Sequence, residues 1–240
     1  MTTITAASID SIIESFPHKP EKINGLPTFE TLFILKRDLF RNATSAACTL
    51  GGGQHGYLGI ILGDVAYANE AGNDAAGLPQ PFVPPVFPGA RAIVDGPDAE
   101  TRVDQRAAFK DNTYDWNMYT NMQGALCTLI TNAVEEVYLS PPQNPITGYK
   151  NVTANNLLCH LFVEYGEIGP RETQANEQHF NEAWDGAELF ETIITRITDW
   201  VAYATSAGKP YTDAQILDRA ELIVLNTGLY DDDMKEWGRM

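Results

Sequence analysis

Apolar residues recur at helical intervals over several long segments of the chain. In residues 28–47, apolar side chains stand three and four positions apart, and the opposite face carries Lys36, Arg37 and Asp38. This spacing is typical of an amphipathic helix, and Thr28 is placed to cap its first turn. The predicted apolar face consists of Phe29, Leu32, Phe33, Phe40, Ala43 and Ala47.

The middle of the chain predicts two further helices. Asp98 offers an N-cap, and helical spacing then continues until Ser140, which two prolines follow. Proline ends a helix because it lacks the backbone donor and clashes with the preceding turn. A shorter apolar pattern begins after Thr153, a second N-cap candidate, and stops at Gly166.

The last third of the chain carries the clearest helical pattern. Asp185 and Glu188 have the spacing of a capping box, and Gly208 supplies the stop of the helix that they predict. Thr212 and Gln215 repeat the capping pattern for one more helix. The candidates for packing or assembly in this region are Trp184, Leu189, Phe190, Ile193, Ile197 and Trp200.

A glycine-rich stretch, TLGGGQHGYLG at residues 49–59, has the G-x-G-x-x-G spacing of dinucleotide-binding loops. That chemistry requires a strand before the glycines and a helix after them, whereas the preceding segment is predicted to be helical. We therefore interpret the stretch as a structural turn in which missing Cβ atoms allow close packing. The apolar run that follows it is compatible with a buried strand or with a helix. The turn residues are Gly51, Gly52, Gly53, His55 and Gly56.

Residues 77–97 form a proline-rich connector. Proline removes backbone donors and restricts the residue before it, so this segment is predicted to be irregular. We expect it to lie across the protein surface, anchored by Phe82, Val86 and Phe87.

Composition narrows the classes of function. The chain has 240 residues, of which 44% are apolar, and a net charge of −16. A chain this acidic is a poor ligand for nucleic-acid phosphates unless a basic segment lies elsewhere. It has neither an apolar run of the roughly 20 residues that span a bilayer nor the pattern of a signal peptide. We expect a cytoplasmic protein with no membrane partner and with one large or two small domains.

The cysteines and histidines suggest no catalytic group. Cys48, Cys127 and Cys159 have no close spacing, so they predict neither a disulfide framework nor a metal half-site. Cys159 and His160 are adjacent, and successive residues on a helix point about 100° apart, which argues against a dyad. His55 is interpreted as a turn residue rather than a general base.

Acidic residues also give no clear site. His160, Glu164 and His179 lack the spacing of known zinc motifs. The acids in the run Tyr-Asp-Asp-Asp at 230–233 are interpreted as helix N-terminal residues, where the macrodipole favours negative charge. We therefore expect no catalytic residue, no metal and no cofactor.

Several segments, taken in order, carry a family resemblance. They are TLFILKRDL, GGGQHGYLGIIL and PFVPPVFPG, then DWNMYTNMQGALCTLITNAVEEVYL and LLCHLFVEYGEI, then the Trp184-Asp185 start, Gly208-x-Pro210-Tyr211-Thr212 and the closing Glu236-Trp237. Together they resemble the Gag polyproteins of copia-type LTR retrotransposons, and the resemblance spans nearly the whole chain.

The resemblance implies an all-α capsid protein with two lobes. The N-terminal lobe would cover residues 1–167 and the C-terminal lobe residues 168–240, joined near 166–169. It implies a homo-oligomer that assembles into virus-like particles enclosing element RNA, and no enzymatic activity. Such proteins often carry a zinc knuckle or a basic tail, and this chain has neither. RNA is therefore expected to be bound only indirectly or through a segment outside these residues.

Two alternatives remain open. The first is an enzyme that holds a nucleotide or phosphate in the loop from Gly51 to Gly56. The second is a capsid-derived monomeric adaptor that binds a peptide between its helices. Because like-charged copies repel, assembly of the leading candidate is expected to increase with salt.

Overall fold

The protein is helical in a computed structural model, which describes residues 6–71, 80–90, 98–180, 184–185 and 188–227. Across those ranges we find no β-strand, and Asn144 and Gly148 form an isolated bridge. The all-α prediction is confirmed for this part of the chain. Its helices are α1 (Ile9–Ser15), α2 (Phe29–Ser45), α3 (Gly59–Leu62), α4 (Asp64–Ala71), α5 (Ala99–Ala133), α6 (Glu136–Leu139), α7 (Ala154–Tyr165), α8 (Pro170–Phe180), α9 (Phe190–Ser206) and α10 (Asp213–Leu225).

The chain divides into two compact units. Unit 1 is Met1–Gly166 and unit 2 is Glu167–Met240. The boundary predicted from the sequence, between residues 167 and 168, lies beside this division.

The predicted N-caps of unit 1 are confirmed. Thr28 and Thr31 form a capping box at the start of α2, in which each side chain receives the other residue's backbone N–H. The Asp98 carboxylate accepts from the Thr101 N–H at 2.7 Å, and the Thr153 hydroxyl caps α7. These side chains satisfy backbone donors that have no partner within the helix.

The long helix α5 ends earlier than predicted. The predicted helix reached Ser140, but Val134 is extended (φ −114°, ψ 138°), and the short helix α6 follows. The Ala133 carbonyl accepts from the Ile23 N–H at 2.7 Å instead of continuing the helical hydrogen bonds. A distant segment of the chain therefore sets this boundary.

The core of unit 1 is built on α5. Helices α1, α2 and α7 pack against it, α2 also packs against α7, and α3 packs against α7. Fully buried side chains at the centre include Leu32, Leu39, Leu126, Ile130 and Leu161.

The apolar face predicted for α2 was only partly right. Phe29, Leu32 and Ala43 are buried, as are Leu35 and Leu39, which the prediction left out. Phe33 and Phe40 are only partly buried, and Ala47 is exposed beyond the end of the helix.

Part of the proline-rich connector is described, and residues 80–89 have no regular structure. Phe82 is buried and its ring lies 5.2 Å from that of Tyr67, whereas Phe87 packs on Trp116 with ring centres 4.7 Å apart. Phe82 is therefore buried as predicted, whereas Phe87 contacts Trp116 but remains 60% exposed. The third anchor was wrong, because Val86 is 83% exposed.

Unit 2 consists of α9 with α8 and α10 packed against it. Its buried apolar side chains include Trp184, Ile193, Trp200 and Ile223. Trp200 stacks on Tyr211, with ring centres 3.8 Å apart and planes at 17°. This core is small, so each aromatic contact carries a large share of the packing.

The ends of the unit 2 helices confirm most of the sequence predictions. Thr212 and Gln215 form the expected capping box of α10. Gly208 has φ +70° just after α9, where its N–H bonds to the Thr205 carbonyl, as in a glycine-terminated helix. The capping box predicted at Asp185 and Glu188 was wrong.

Helix α9 begins at Phe190, and its N-cap position holds Leu189 without a side-chain cap. The Thr192 hydroxyl instead donates to the Leu189 carbonyl at 2.7 Å, and the Glu188 carboxylate lies 3.3 Å from the same hydroxyl. The same hydroxyl receives the Trp184 indole N–H at 3.1 Å. These side-chain contacts hold the start of the helix one turn later than the sequence indicates.

Candidate functional site

The glycine-rich stretch forms a tight turn after α2. Gly51, Gly52, Gly53 and Gly56 have φ angles of 55°, 78°, 77° and 54°. This left-handed region is strained for residues that carry a Cβ. The turn therefore requires glycine for its backbone alone.

Two of these glycines also lie in close contact with other groups. The Tyr67 ring packs against Gly51, and its hydroxyl donates to the Gly51 carbonyl at 2.8 Å. A Cβ on Gly56 would lie 2.6 Å from the Ala43 carbonyl oxygen and 2.8 Å from that of Thr44. The carbonyl groups at the end of α2 therefore occupy the space beside Gly56.

The surroundings of the turn disfavour a phosphate site. The groups that crowd Gly56 are carbonyl oxygens, which repel phosphate, whereas phosphate loops present N–H donors. The turn follows helix α2, and the next helix, α3, has four residues. The apolar run after the glycines, which the sequence could not assign to a strand or a helix, forms the helices α3 and α4. His55 contacts the edge of the Tyr67 ring, with ring centres 6.2 Å apart.

The other candidate side chains do not come together. Cys159 is exposed and its thiol faces the Asn155 side chain, whereas the His160 ring bonds to the Tyr138 carbonyl at 3.0 Å. The two adjacent residues therefore point to different neighbours, as helix geometry predicts. The side chain of His179 and the acidic run at 230–233 lie outside the described residues.

Burial explains the perturbed titrations near the turn. Desolvation raises the pKa of the Cys48 thiol and, more strongly, that of the Tyr57 hydroxyl. Burial likewise raises the pKa of Cys127. A raised thiol pKa keeps the sulfur protonated, which lowers its reactivity as a nucleophile.

The assembly candidates divide into buried and exposed residues. Trp184, Ile193 and Trp200 are buried in unit 2, and Ile197 packs against them. Leu189 and Phe190, by contrast, are 74% and 49% exposed. The sequence named all six as candidates for packing or assembly, and the structure places these two outside the core.

Exposed apolar and acidic side chains adjoin at the beginning of α9. Ile194 lies one turn after Phe190 and is 54% exposed. Glu188 and Glu191 are exposed beside these residues. We call Glu188, Leu189, Phe190, Glu191 and Ile194 the α9 acidic segment.

The sequence did not predict a groove on the outer side of α2. Two adjoining depressions, of about 410 Å³ and 250 Å³, share Phe40 and Arg41. One extends to Phe33 and the other to Ser45 and Leu58. We call this surface, from Phe33 to Ser45 with Leu58 at its end, the α2 groove.

Basic and aromatic side chains alternate along the α2 groove. Lys36, Arg37 and Arg41 line it together with Phe33 and Phe40. The Lys36 ammonium lies 5.3 Å from the centre of the Phe40 ring, within the range of a cation–π contact. The sequence pattern placed Lys36 and Arg37 on the face opposite Phe33 and Phe40. The structure instead brings these side chains together in one groove.

Comparison of the chain with protein-family models, curated proteins and solved structures gives no match. In the described ranges, no helix has the length and apolar character needed to cross a membrane. The same residues contain no cluster of three histidine, cysteine or acidic side chains that could hold a metal ion.

Proposed function

We propose that this chain is a structural protein of the retrotransposon Gag type, which assembles through its own copies into particles that enclose RNA. The resemblance of its segments to copia-type Gag proteins supports this proposal, as does the helical architecture of its two units. In this proposal the two units are the two lobes of a capsid protein, and the protein has no enzymatic activity.

The exposed start of α9 carries the proposal. Leu189, Phe190 and Ile194 expose large apolar side chains within a few residues of one another. Neighbouring apolar exposure of this kind marks interaction surfaces more often than isolated apolar residues do. Unit 2 is also a small body, and because small domains bury a lower share of their surface, contact with another copy would add to its stability.

Light scattering and negative-stain microscopy over a range of protein and salt concentrations test this function. The net charge of −16 repels like copies, so particle mass is expected to rise as salt screens that repulsion. RNA that remains with the particles after nuclease treatment would support enclosure. A chain that stays monomeric under all conditions would contradict the proposal.

A second candidate function is a monomeric adaptor that binds a peptide. The α2 groove favours it, because the groove is apolar and lies between basic side chains. The adaptor predicts a monomer at every salt concentration, with a peptide bound along α2. The scattering experiment therefore separates the two candidates.

A further inference from the structure

The two surfaces found on α2 and α9 have opposite charge and matching apolar character. Lys36, Arg37 and Arg41 line the α2 groove around Phe33 and Phe40, and Arg37 is paired with Asp38 of the same helix at 3.9 Å. In the α9 acidic segment, Glu188 and Glu191 flank three exposed apolar side chains. Each surface thus combines an apolar centre with charges that the other would neutralise.

We propose that the α2 groove of one copy binds the α9 acidic segment of a second copy. This inference rests on the proposed self-assembly and names the contact through which it occurs. Phe190 and Ile194 would lie against Phe40 and Leu58, and Glu188 and Glu191 would face the cations of α2. The contact joins different surfaces of the two copies, so each copy carries one groove and one segment with which further copies can be added.

The dimensions of the groove agree with this occupant. From Phe33 to Ser45 the helix rises by about 18 Å, at about 1.5 Å per residue. The α9 acidic segment spans seven residues, of which Phe190 to Ile194 form the first helical turn. A single helical turn and the two residues before it are short enough to lie within that length.

The apolar lining of the groove favours a second copy over nucleic acid. The net charge of −16 repels a polyanion and a second copy alike, so the apolar side chains beside the cations decide between them. Phe40 and Leu58 line the groove, and such a lining suits aliphatic and aromatic side chains. The acidic segment supplies both.

Charge reversal on each surface provides the test. The first variant is K36E/R41E, and the second is E188K/E191K. Each puts like charges on both sides of the contact, so self-association measured by sedimentation should weaken at least about tenfold. An equimolar mixture of the two variants restores opposite charges at the contact and should recover association close to that of the native chain.

Two control variants separate the contact from the overall charge. K22E/K150E changes the net charge as K36E/R41E does, and E21K/D218K changes it as E188K/E191K does; all four control positions are exposed. The control mixture has the same net charges as the test mixture, but both of its members keep the native α2 groove and the native α9 acidic segment. Circular dichroism establishes that each variant is folded.

The outcomes distinguish this contact from the function on which it rests. The contact is supported if mixing the two test variants strengthens association over that of each variant alone by more than mixing the two control variants does. If K36E/R41E assembles as strongly as K22E/K150E, the proposed contact is wrong, but the proposed assembly stands. A native chain that remains monomeric would overturn both the contact and the proposed assembly. The basic α2 groove would then be explained by the binding of a foreign peptide.

Discussion

Replacing Gly56 with alanine should destabilise unit 1 through two separable effects. Gly56 has φ +54°, which strains alanine by about 1–2 kcal/mol. The new methyl group would also lie 2.5 Å from the Ala46 carbonyl oxygen and 2.6 Å from that of Ala43. Because these are backbone atoms of neighbouring segments, they must shift, and such overpacking costs about 1–3 kcal/mol.

A second glycine of unit 1 isolates the crowding. Gly148 has φ +60°, but no atom lies within 4 Å of the position of its missing Cβ. Gly148→Ala should therefore carry only the backbone strain, partly offset by about 0.4–1 kcal/mol from the stiffer unfolded chain. Gly56→Ala should lose about 1–3 kcal/mol more than Gly148→Ala, because only the first adds overpacking.

This difference is measured by urea unfolding, followed through hydrogen exchange in peptides of unit 1. Peptides from one unit report the unfolding of that unit alone, so the two units are measured separately. The Tyr57 amide is the local probe, since it donates to the Ala43 carbonyl at 2.9 Å beside the new methyl group. Its protection should fall in Gly56→Ala and persist in Gly148→Ala. Losses of stability that agree within about 0.5 kcal/mol would refute the close approach at Gly56.

Two further substitutions test buried polar contacts. Asn42 is fully buried; its side chain accepts from the His18 N–H at 3.0 Å and donates to the His18 carbonyl at 2.8 Å. Asn42→Ala should therefore lower the free energy of unfolding in urea by about 2–4 kcal/mol. The exposed control Asn156→Ala should lower it by less than about 0.5 kcal/mol. The pKa of the Tyr211 hydroxyl is raised from 10.0 to about 12, mainly by burial and secondly by its hydrogen bond to the Glu177 carboxylate. The protonated Tyr211 hydroxyl therefore stabilises the folded state fully below pH 10, and this contribution is lost as pH rises through about 12. The difference in free energy of unfolding between the native chain and Tyr211→Phe should narrow across that interval. A difference that stays constant would contradict the assignment.

Local patterns predicted the helix starts well because the interactions that fix them are local. Thr28 and Thr212 each bond to a residue three positions later, so the sequence shows both partners at once. The end of α5 is different, because the Ala133 carbonyl accepts a hydrogen bond from the Ile23 N–H, 110 positions away in the sequence. Helix α8 was not predicted, because its sequence, PRETQANEQHF, carries almost no apolar stripe.

The candidate surfaces could be predicted only in part. Leu189 and Phe190 were recognised as candidates, but their exposure depends on where α9 starts, and the contacts of Glu188 and Trp184 with Thr192 set that start. The α2 groove needs Leu58, which a turn of left-handed glycines brings beside Phe40 and Arg41. Neither fact is visible in helical spacing.

Net charge and local charge act over different distances in the proposed assembly. The 16 excess negative charges of each copy repel over tens of ångströms, and salt at 0.1 M shortens that reach to about 10 Å. Ion pairs in contact beside an apolar floor are screened much less than charges held apart in water. Salt should therefore remove the barrier to approach before it weakens the pairing of Lys36 and Arg41 with the acids of α9. K36E/R41E keeps the barrier and loses the pairing, so its association should remain weaker than that of K22E/K150E even at the salt concentration that best favours the native chain.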